Sequence, residues 1–313
     1  MTESGWLWAL FTVIAAFAQT VRNAMQRELT ASLGTVGATH VRFLFGFPFV
    51  LLALAGITVV TGAMLPRPTP SFWPWVVDGA LTQIAATALM LAAMNDRSFV
   101  VTIAYIKTEP VQVALFGFVL LGDRVTLPLA IAILIATTGV VVMSLRPGTA
   151  ASGTAKKATT GTAPPGAGGR ATLLGLASGA MFGLSATGYR GAILSLGEHN
   201  YVMGATFTLA VGLMLQAIVL SLYLWWRDRS VLSAILHAWR PSLFAGFMGA
   251  FASQFWFLAF ALATAASVRT LALVEVLFAQ AISRCVFHQP TSRREAGGIV
   301  LIVLGVALLI WAY

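Results

Sequence analysis

The stretch Thr102–Thr126 reads T-I-A-Y-I-K-T-E-P-V-Q-V-A-L-F-G-F-V-L-L-G-D-R-V-T. It is almost wholly apolar, yet Lys107 and Glu109 lie in its first half and Pro110 follows. An ionised side chain inside such a run costs at least about 2.5–3.5 kcal/mol on insertion scales, so it needs a partner or a task. A related stretch recurs at an offset of 166 (109 to 275), with Glu275 in the place of Glu109. Two copies of one costly feature point to a duplicated membrane architecture.

The composition agrees. The 313 residues are 58% hydrophobic and 9% charged, with a mean hydropathy of +0.87, against about 25% charged in soluble domains. A soluble chain of this kind would expose large apolar patches, so the sequence predicts an all-α integral membrane protein. Its formal net charge of +9 forms no dense basic run or basic-aromatic face. Nucleic acid is therefore not an expected partner, and the cations mark cytoplasmic loops instead. The single Cys285 excludes an internal disulfide framework and a cysteine metal cluster. His40, His199, His237 and His288 have no metal-ligand spacing, so no metal and no cofactor is expected. Met1–Gly5 holds Glu3 but no Lys or Arg, so Trp6 onward reads as a retained first span rather than a cleaved leader.

About 20 apolar residues cross roughly 30 Å of hydrocarbon. That ruler yields ten spans, near 6–26, 37–60, 72–94, 99–121, 126–145, 172–195, 201–225, 241–263, 266–287 and 296–313. Residues 146–171, rich in Gly, Ala, Thr and Pro with Lys156 and Lys157, have no periodicity and read as a flexible linker. They separate a half at 1–145 from a half at 172–313. Eight of the nine tryptophans lie near span ends, where an indole prefers the interface. Trp256 alone falls mid-span, either as packed or lipid-facing bulk or as a cavity wall.

The halves correspond. At an offset of 166, Trp73 meets Trp239, Glu109 meets Glu275, Thr126 meets Ser292 and Gly139-Val140 meets Gly305-Val306, while Arg22 meets Arg190 at 168. Five spans per half is an odd number, so the second copy enters the membrane from the other side. The expected fold is ten transmembrane helices in two inverted five-helix repeats around a central cavity, with substrate and coupling-ion sites between the repeats. Arg22, Arg27, Arg97, Arg146, Lys156, Lys157, Arg170, Arg227, Arg229, Arg240, Arg284, Arg293 and Arg294 fall on one side, and Arg67, Arg124, Arg190 and Arg269 on the other. The positive-inside rule then puts both termini outside the cytoplasm.

Each half has a telling tail. The first runs E-P-V-Q-V-A-L-F-G-F-V-L-L-G-D-R-V-T and then L-I-A-T-T-G-V; the second runs from Glu275 through His288-Gln289-Pro290-Thr291 to the Gly-rich last span. This resembles the EamA-type repeat of the drug/metabolite transporter superfamily. Leu121-Gly122-Asp123-Arg124-Val125-Thr126 fits that repeat's acidic-basic turn, with Asp for Glu. His288-Gln289-Pro290-Thr291 departs from it, and Val276 replaces the proline. The resemblance implies a ten-helix basket whose cavity opens alternately to each side. Members move amino acids, sugars, nucleotide-linked sugars and other metabolites, and bacterial ones are often inner-membrane exporters.

Ionisable residues within the spans are the candidate site: Arg42, Asp78, Lys107, Glu109, Arg269 and Glu275. Tyr105 and Glu109 are four apart, on one helical face, while Lys107 points elsewhere. Pro110 lacks a donor and kinks its helix, freeing the Ile106 carbonyl. Glu109 reads as a site for a cation, a substrate amino group or a proton, or as half of an ion pair with a neighbouring helix. Glu275 carries the same pair of readings, with Arg269 or Arg42 as partner. Arg42 and Arg269 could fork onto a carboxylate or phosphate, or Arg269 could snorkel to its helix end. Asp78 reads as interfacial. Gln83 and Trp256 are further substrate candidates, with Asn95, Gln112, Gln254 and Gln280 as minor polar contacts. Gly175, Gly179 and Gly183 form a smooth strip on one helix, suited to packing within the chain more than to a dimer. Monomer and dimer both remain open.

The function expected is secondary transport of a small polar organic solute, an amino acid or related metabolite, by alternating access in the efflux direction. No Gly-rich loop ending in Gly-Lys-Ser/Thr occurs, so coupling to an ion gradient or to exchange is expected rather than ATP, with a proton on Glu109 or Glu275 as the candidate coupling ion. The buried bases outnumber the acids, which favours a zwitterion or anion. A membrane enzyme acting on lipid-like substrates would need paired Asp or His at a membrane face, and Asp78, Asp96, Asp123 and Asp228 are scattered. A passive channel is the third class; channels commonly build pores by oligomeric symmetry.

Overall fold

The computed structural model describes residues 6–96, 105–144, 167–285 and 292–312. Most of residues 146–171, Arg97 and residues 286–291, with His288-Gln289-Pro290-Thr291, lie outside them. The described residues are helical, with no strand among them. They form α1 (7–33) and α2 (35–61), then α3 (Phe72–Asp96), α4 (Glu109–Leu121), α5 (Leu127–Ser144), α6 (Ala167–Ser195), α7 (Tyr201–Arg227) and α8 (Trp239–Leu262). The last spans are α9, in two pieces (Ala265–Leu271 and Val274–Cys285), and α10 (Arg293–Ala312). A short helix, Arg229–His237, joins α7 to α8. Asp228 caps it by accepting from the Ser230 backbone N–H at 3.1 Å, and the Ser230 hydrogen bonds hold the Asp228 carboxyl below its ordinary range.

The first hairpin differs from expectation. There is no loop after residue 26. Helix α1 continues to residue 33, and the chain reverses at Gly34, whose φ of 68° suits glycine. Gln26 Nε2 donates to the Ala38 carbonyl across the turn at 3.1 Å. This extension moves Arg22 from the expected helix end into the body of α1, where it is only 2% exposed. Arg22 and the buried Arg269 therefore do not count as loop charges.

Helix pairing follows the repeat. α3 packs on α6, α1 and α2 pack on α8, and α5 packs on α10. With α1 equivalent to α6 and α3 to α8, the first two contacts are one contact repeated, and α5–α10 is its own equivalent. The glycines make this concrete. A Cβ on Gly139 would lie 2.7 Å from the Gly298 carbonyl oxygen, and one on Gly305 would lie 2.9 Å from that of Ala132. Gly139 and Gly305 are 166 apart, and so are Ala132 and Gly298. The seam is therefore a reciprocal contact across a pseudo-two-fold axis, as two inverted repeats require.

The glycine strip of α6 packs within the chain. A Cβ on Gly175 would meet the Tyr105 Cβ at 2.7 Å, one on Gly179 the Ile106 oxygen at 3.1 Å, and one on Gly183 the Val113 and Phe116 side chains at 3.2 Å. It is the surface on which the α4 segment rests. Trp6, Trp73, Trp225, Trp226, Trp239 and Trp311 are exposed near helix ends, as an interfacial belt would be, while Trp8 turns into the core.

The seam is testable with adjacent residues. A Cβ on Gly298 would lie 2.2 Å from Met143 Cγ and 2.6 Å from the Gly139 oxygen, whereas one on Gly297 meets nothing within 4 Å. Gly298→Ala is expected to cost about 1–3 kcal/mol by overpacking and to lower the melting temperature of detergent-purified protein by several degrees. Gly297→Ala is expected to stay within about 0.5 kcal/mol of the parent in the same melt.

Candidate functional site

The fourth span of each half is broken beside its glutamate. Tyr105 and Ile106 are helical, Lys107 and Thr108 turn, and Glu109 opens α4. The turn is closed by Thr108 N–H to Tyr105 O at 3.3 Å and Val111 N–H to Thr108 O at 3.2 Å. Pro110 sits in the first turn of α4, where a missing N–H leaves no helical bond unmade. The expected kink is thus a full interruption just ahead of the proline. In α9, Leu273 N–H to Thr270 O and Val276 N–H to Leu273 O, both 3.1 Å, mark the equivalent break. Glu109 and Glu275 each stand in the first turn of the helix that follows, where the helix dipole favours a carboxylate.

The two breaks are bound crosswise. Arg269 Nε lies 3.0 Å from Glu109 Oε1, and Lys107 Nζ lies 2.5 Å from Glu275 Oε2. Each acid thus takes its cation from the other half. All four residues are buried, at 6–8% exposure. Lys107 is thus ion-paired with Glu275 rather than with Glu109, and Arg269 is buried rather than snorkelling to its helix end. Its guanidinium stands 4.6 Å from the Trp256 ring centroid. Trp256 Nε1 donates to Gln19 Oε1 at 3.1 Å, and Gln19 Nε2 donates to Glu275 Oε2 at 3.3 Å.

Beside these pairs are two further arginines. Arg22 on α1 and Arg42 on α2 lay their stems on one glycine of α8. A Cβ on Gly249 would meet Arg42 Cγ at 3.0 Å and Arg22 Cδ at 3.6 Å. Arg22 Nη2 donates to Asn23 Oδ1 at 2.9 Å, and Arg42 Nη2 reaches Ser253 Oγ at 3.5 Å. The Nε and Nη1 of both are buried without a hydrogen-bond partner. Among the described residues neither arginine has a carboxylate within ion-pair distance.

Two narrow cavities open between these groups. One is lined by Arg42, Gln83, Tyr189, Ser253 and Trp256, the other by Arg22, Asn23, Lys107, Glu109 and Glu275. Gln19, Phe182 and Arg269 line both. Among the described residues, no group of three or more His, Cys, Asp or Glu is placed to hold a metal ion.

Comparison with known proteins now identifies the architecture. The model of the EamA-like transporter family matches residues 6–145 and 169–311. The chain belongs to the EamA-like transporter family. A solved structure described only as "Crystal structure of protein" matches at a TM-score of 0.69 and 17% identity, covering 100% of this chain and 99% of that one, and shows the same fold. No curated protein matches the sequence. The protein is thus an integral membrane protein of a transporter family, with two family repeats covering nearly the whole chain.

In this EamA-like transporter, most sequence candidates converge on the cavities. Gln83 does, accepting from Gln216 Nε2 at 2.8 Å and Tyr189 Oη at 3.4 Å. Tyr105 does not. The break at Lys107–Thr108 ends the helical face it was to share with Glu109, and it packs on Gly175 instead, lining neither cavity. Asp78 is half-buried, against α6 at Gly188. Gln254 donates to Thr206 at 2.7 Å and also lines neither cavity.

Gln19, Arg22 and Asn23 are not among the sequence candidates for the site, Arg22 because it counts there as a loop charge. The signal was present: Gln19, Arg22, Asn23 and Gln26 recur at i, i+3, i+4 and i+7 inside an apolar helix. Arg190, also read as a loop charge, holds the C-terminal carbonyls of α8, donating to Phe260 O at 2.7 Å and to Ala263 O. It lies 3.6 Å from Asp123, the acid of the L-G-D-R turn. That turn is therefore tied to α6 and α8 at once.

The crosswise pairs can be separated by a double-mutant cycle. Lys107→Met should cost about 3–5 kcal/mol by stranding Glu275 in the core. Lys107→Met with Glu275→Met should cost less than the sum of the single changes, and thermal melting of purified protein measures the difference.

Proposed function

We propose that the protein is a secondary transporter that moves a small polar organic solute, an amino acid or related metabolite, out of the cell by alternating access coupled to protons. The observation that carries this reading is the buried ionic cluster where the broken spans α4 and α9 meet, one from each inverted half. A site at such a junction can face either side without moving itself, because closing one half's helices and opening the other's exchanges its exposure. Both cavities are narrow here, so admitting an organic solute requires the helices around them to part. Protonation of Glu109 would release Arg269, and protonation of Glu275 would release Lys107. Either event loosens the link between the halves, which connects a proton to the conformational change. Without Arg22, Arg190 and Arg269, the remaining charge bias among the loops still favours both termini outside the cytoplasm.

The test is counterflow in proteoliposomes of the full chain with radiolabelled amino acids and small organic acids. Saturable exchange that responds to a pH gradient, and loses that response in Glu109→Gln, is the expected result. Exchange indifferent to both would remove proton coupling. Conductance without saturation would make the protein a channel.

A further inference from the structure

We infer that the two adjoining cavities together take a small organic dianion, with Arg42 in one and Arg22 in the other as its anion-binding groups. This rests on the transporter reading and names the substrate class of that site. The argument begins with charge. Among the described residues the cluster holds four cations, Arg22, Arg42, Lys107 and Arg269, and two acids, Glu109 and Glu275. The acids are both consumed by Arg269 and Lys107, at 3.0 and 2.5 Å. Two guanidiniums remain, 2% and 3% exposed.

An arginine does not shed its proton to escape such a site. A buried ion without a counter-ion is costly enough that proteins keep one only where something compensates it. Here two donors on each arginine are buried and unpartnered, and each side chain lines a cavity. Gly249 lets both stems approach the same point of α8, where any Cβ would meet Arg42 Cγ at 3.0 Å. Two guanidiniums whose stems meet at Gly249, in cavities that share Gln19, Phe182 and Arg269, suit a dicarboxylate or a phosphate monoester, both of which present several oxygens and two negative charges. The nearby Trp256, Phe257 and Phe260 provide an apolar wall for a compact carbon body. A simple cation would meet a net repulsion. A neutral amino acid would satisfy one arginine's charge at most, with its ammonium facing acids already paired.

The two sources are separated by probe. Purified full-length protein is titrated with succinate, glycerol 3-phosphate, leucine, glucose and putrescine, and binding is read from Trp fluorescence and the melting temperature. Succinate or glycerol 3-phosphate should bind saturably. Success of one alone assigns a carboxylate or a phosphate site, and success of both a site selecting on charge. Arg22→Gln and Arg42→Gln should each weaken that binding by about 10- to 100-fold, with Arg42→Lys in between.

The ligand-free variants supply a readout that a structural role would move the other way. Removing an uncompensated buried charge should leave the ligand-free melting temperature unchanged or higher, whereas a structural arginine would lower it. Binding confined to leucine, glucose or putrescine, anion binding unaffected by either Gln variant, or a lowered ligand-free melt in both would overturn the inference. Dianion binding that needs both arginines, without counterflow, would keep the site and remove the carrier reading. Counterflow of a neutral or cationic solute alone would do the reverse.

Discussion

The structure depends on a charge-exchange between its halves. Glu109 and Glu275 each stand buried in the first turn of a helix, and neither is neutralised by its own half. Arg269 crosses to Glu109 and Lys107 crosses to Glu275. In low dielectric, breaking either pair strands a charge, so neither partner can be removed alone without a large cost. The helix interruptions make this possible. A continuous span would carry its glutamate on a side wall, whereas a break places it at a helix N-terminus, where the backbone dipole adds to the stabilisation.

The scaffold is symmetric and the site is not. The α5–α10 seam repeats its backbone contacts across the axis residue for residue, and the two glutamates repeat as well. The cations of the cluster do not. At the offset of 166, Arg42 and Lys107 correspond to Thr208 and Leu273, and Arg269 corresponds to Ile103, while Arg190, the counterpart of Arg22 at 168, binds the end of α8 instead. A duplicated fold supplies two equivalent ways of opening, one to each side. A solute has no such symmetry, so the groups that would read it are free to differ between the halves. Charge differs most, and all the excess is positive.

Close packing of small residues gives this arrangement its shape. Gly175, Gly179 and Gly183 admit the α4 segment, and Gly249 admits two arginine stems. In hydrocarbon there is little hydrophobic drive between helices, so close backbone approach and buried polar contacts carry association instead. Arg190 shows the polar side of this. It joins the α4–α5 turn through Asp123 to the end of α8 through two carbonyls, which gives a structural task to the acid of a turn recognisable in the sequence.

The sequence by itself determined the membrane setting, the count of ten spans and the inverted duplication, and it singled out Glu109 and Glu275 as acids at matching positions in apolar runs. Those are properties of composition, length and offset, and each is carried by many residues at once. It also marked Arg42, Lys107, Arg269, Gln83 and Trp256 as unusual, because a polar or aromatic group deep in an apolar run is visible without a partner. Partners were another matter. Lys107 and Glu275 are 168 residues apart, and which cation meets which acid depends on how α4 crosses α9. The role of Arg22 turned on a loop that proved to be helix, closed by one glycine at φ 68°. Tyr105 failed for the same kind of reason, since a face defined by helical spacing ends where the helix does. Only the tertiary structure could show that the acids are spent on each other's halves, leaving two arginines over, because pairing is a matter of a few ångströms between chain segments that the sequence keeps far apart.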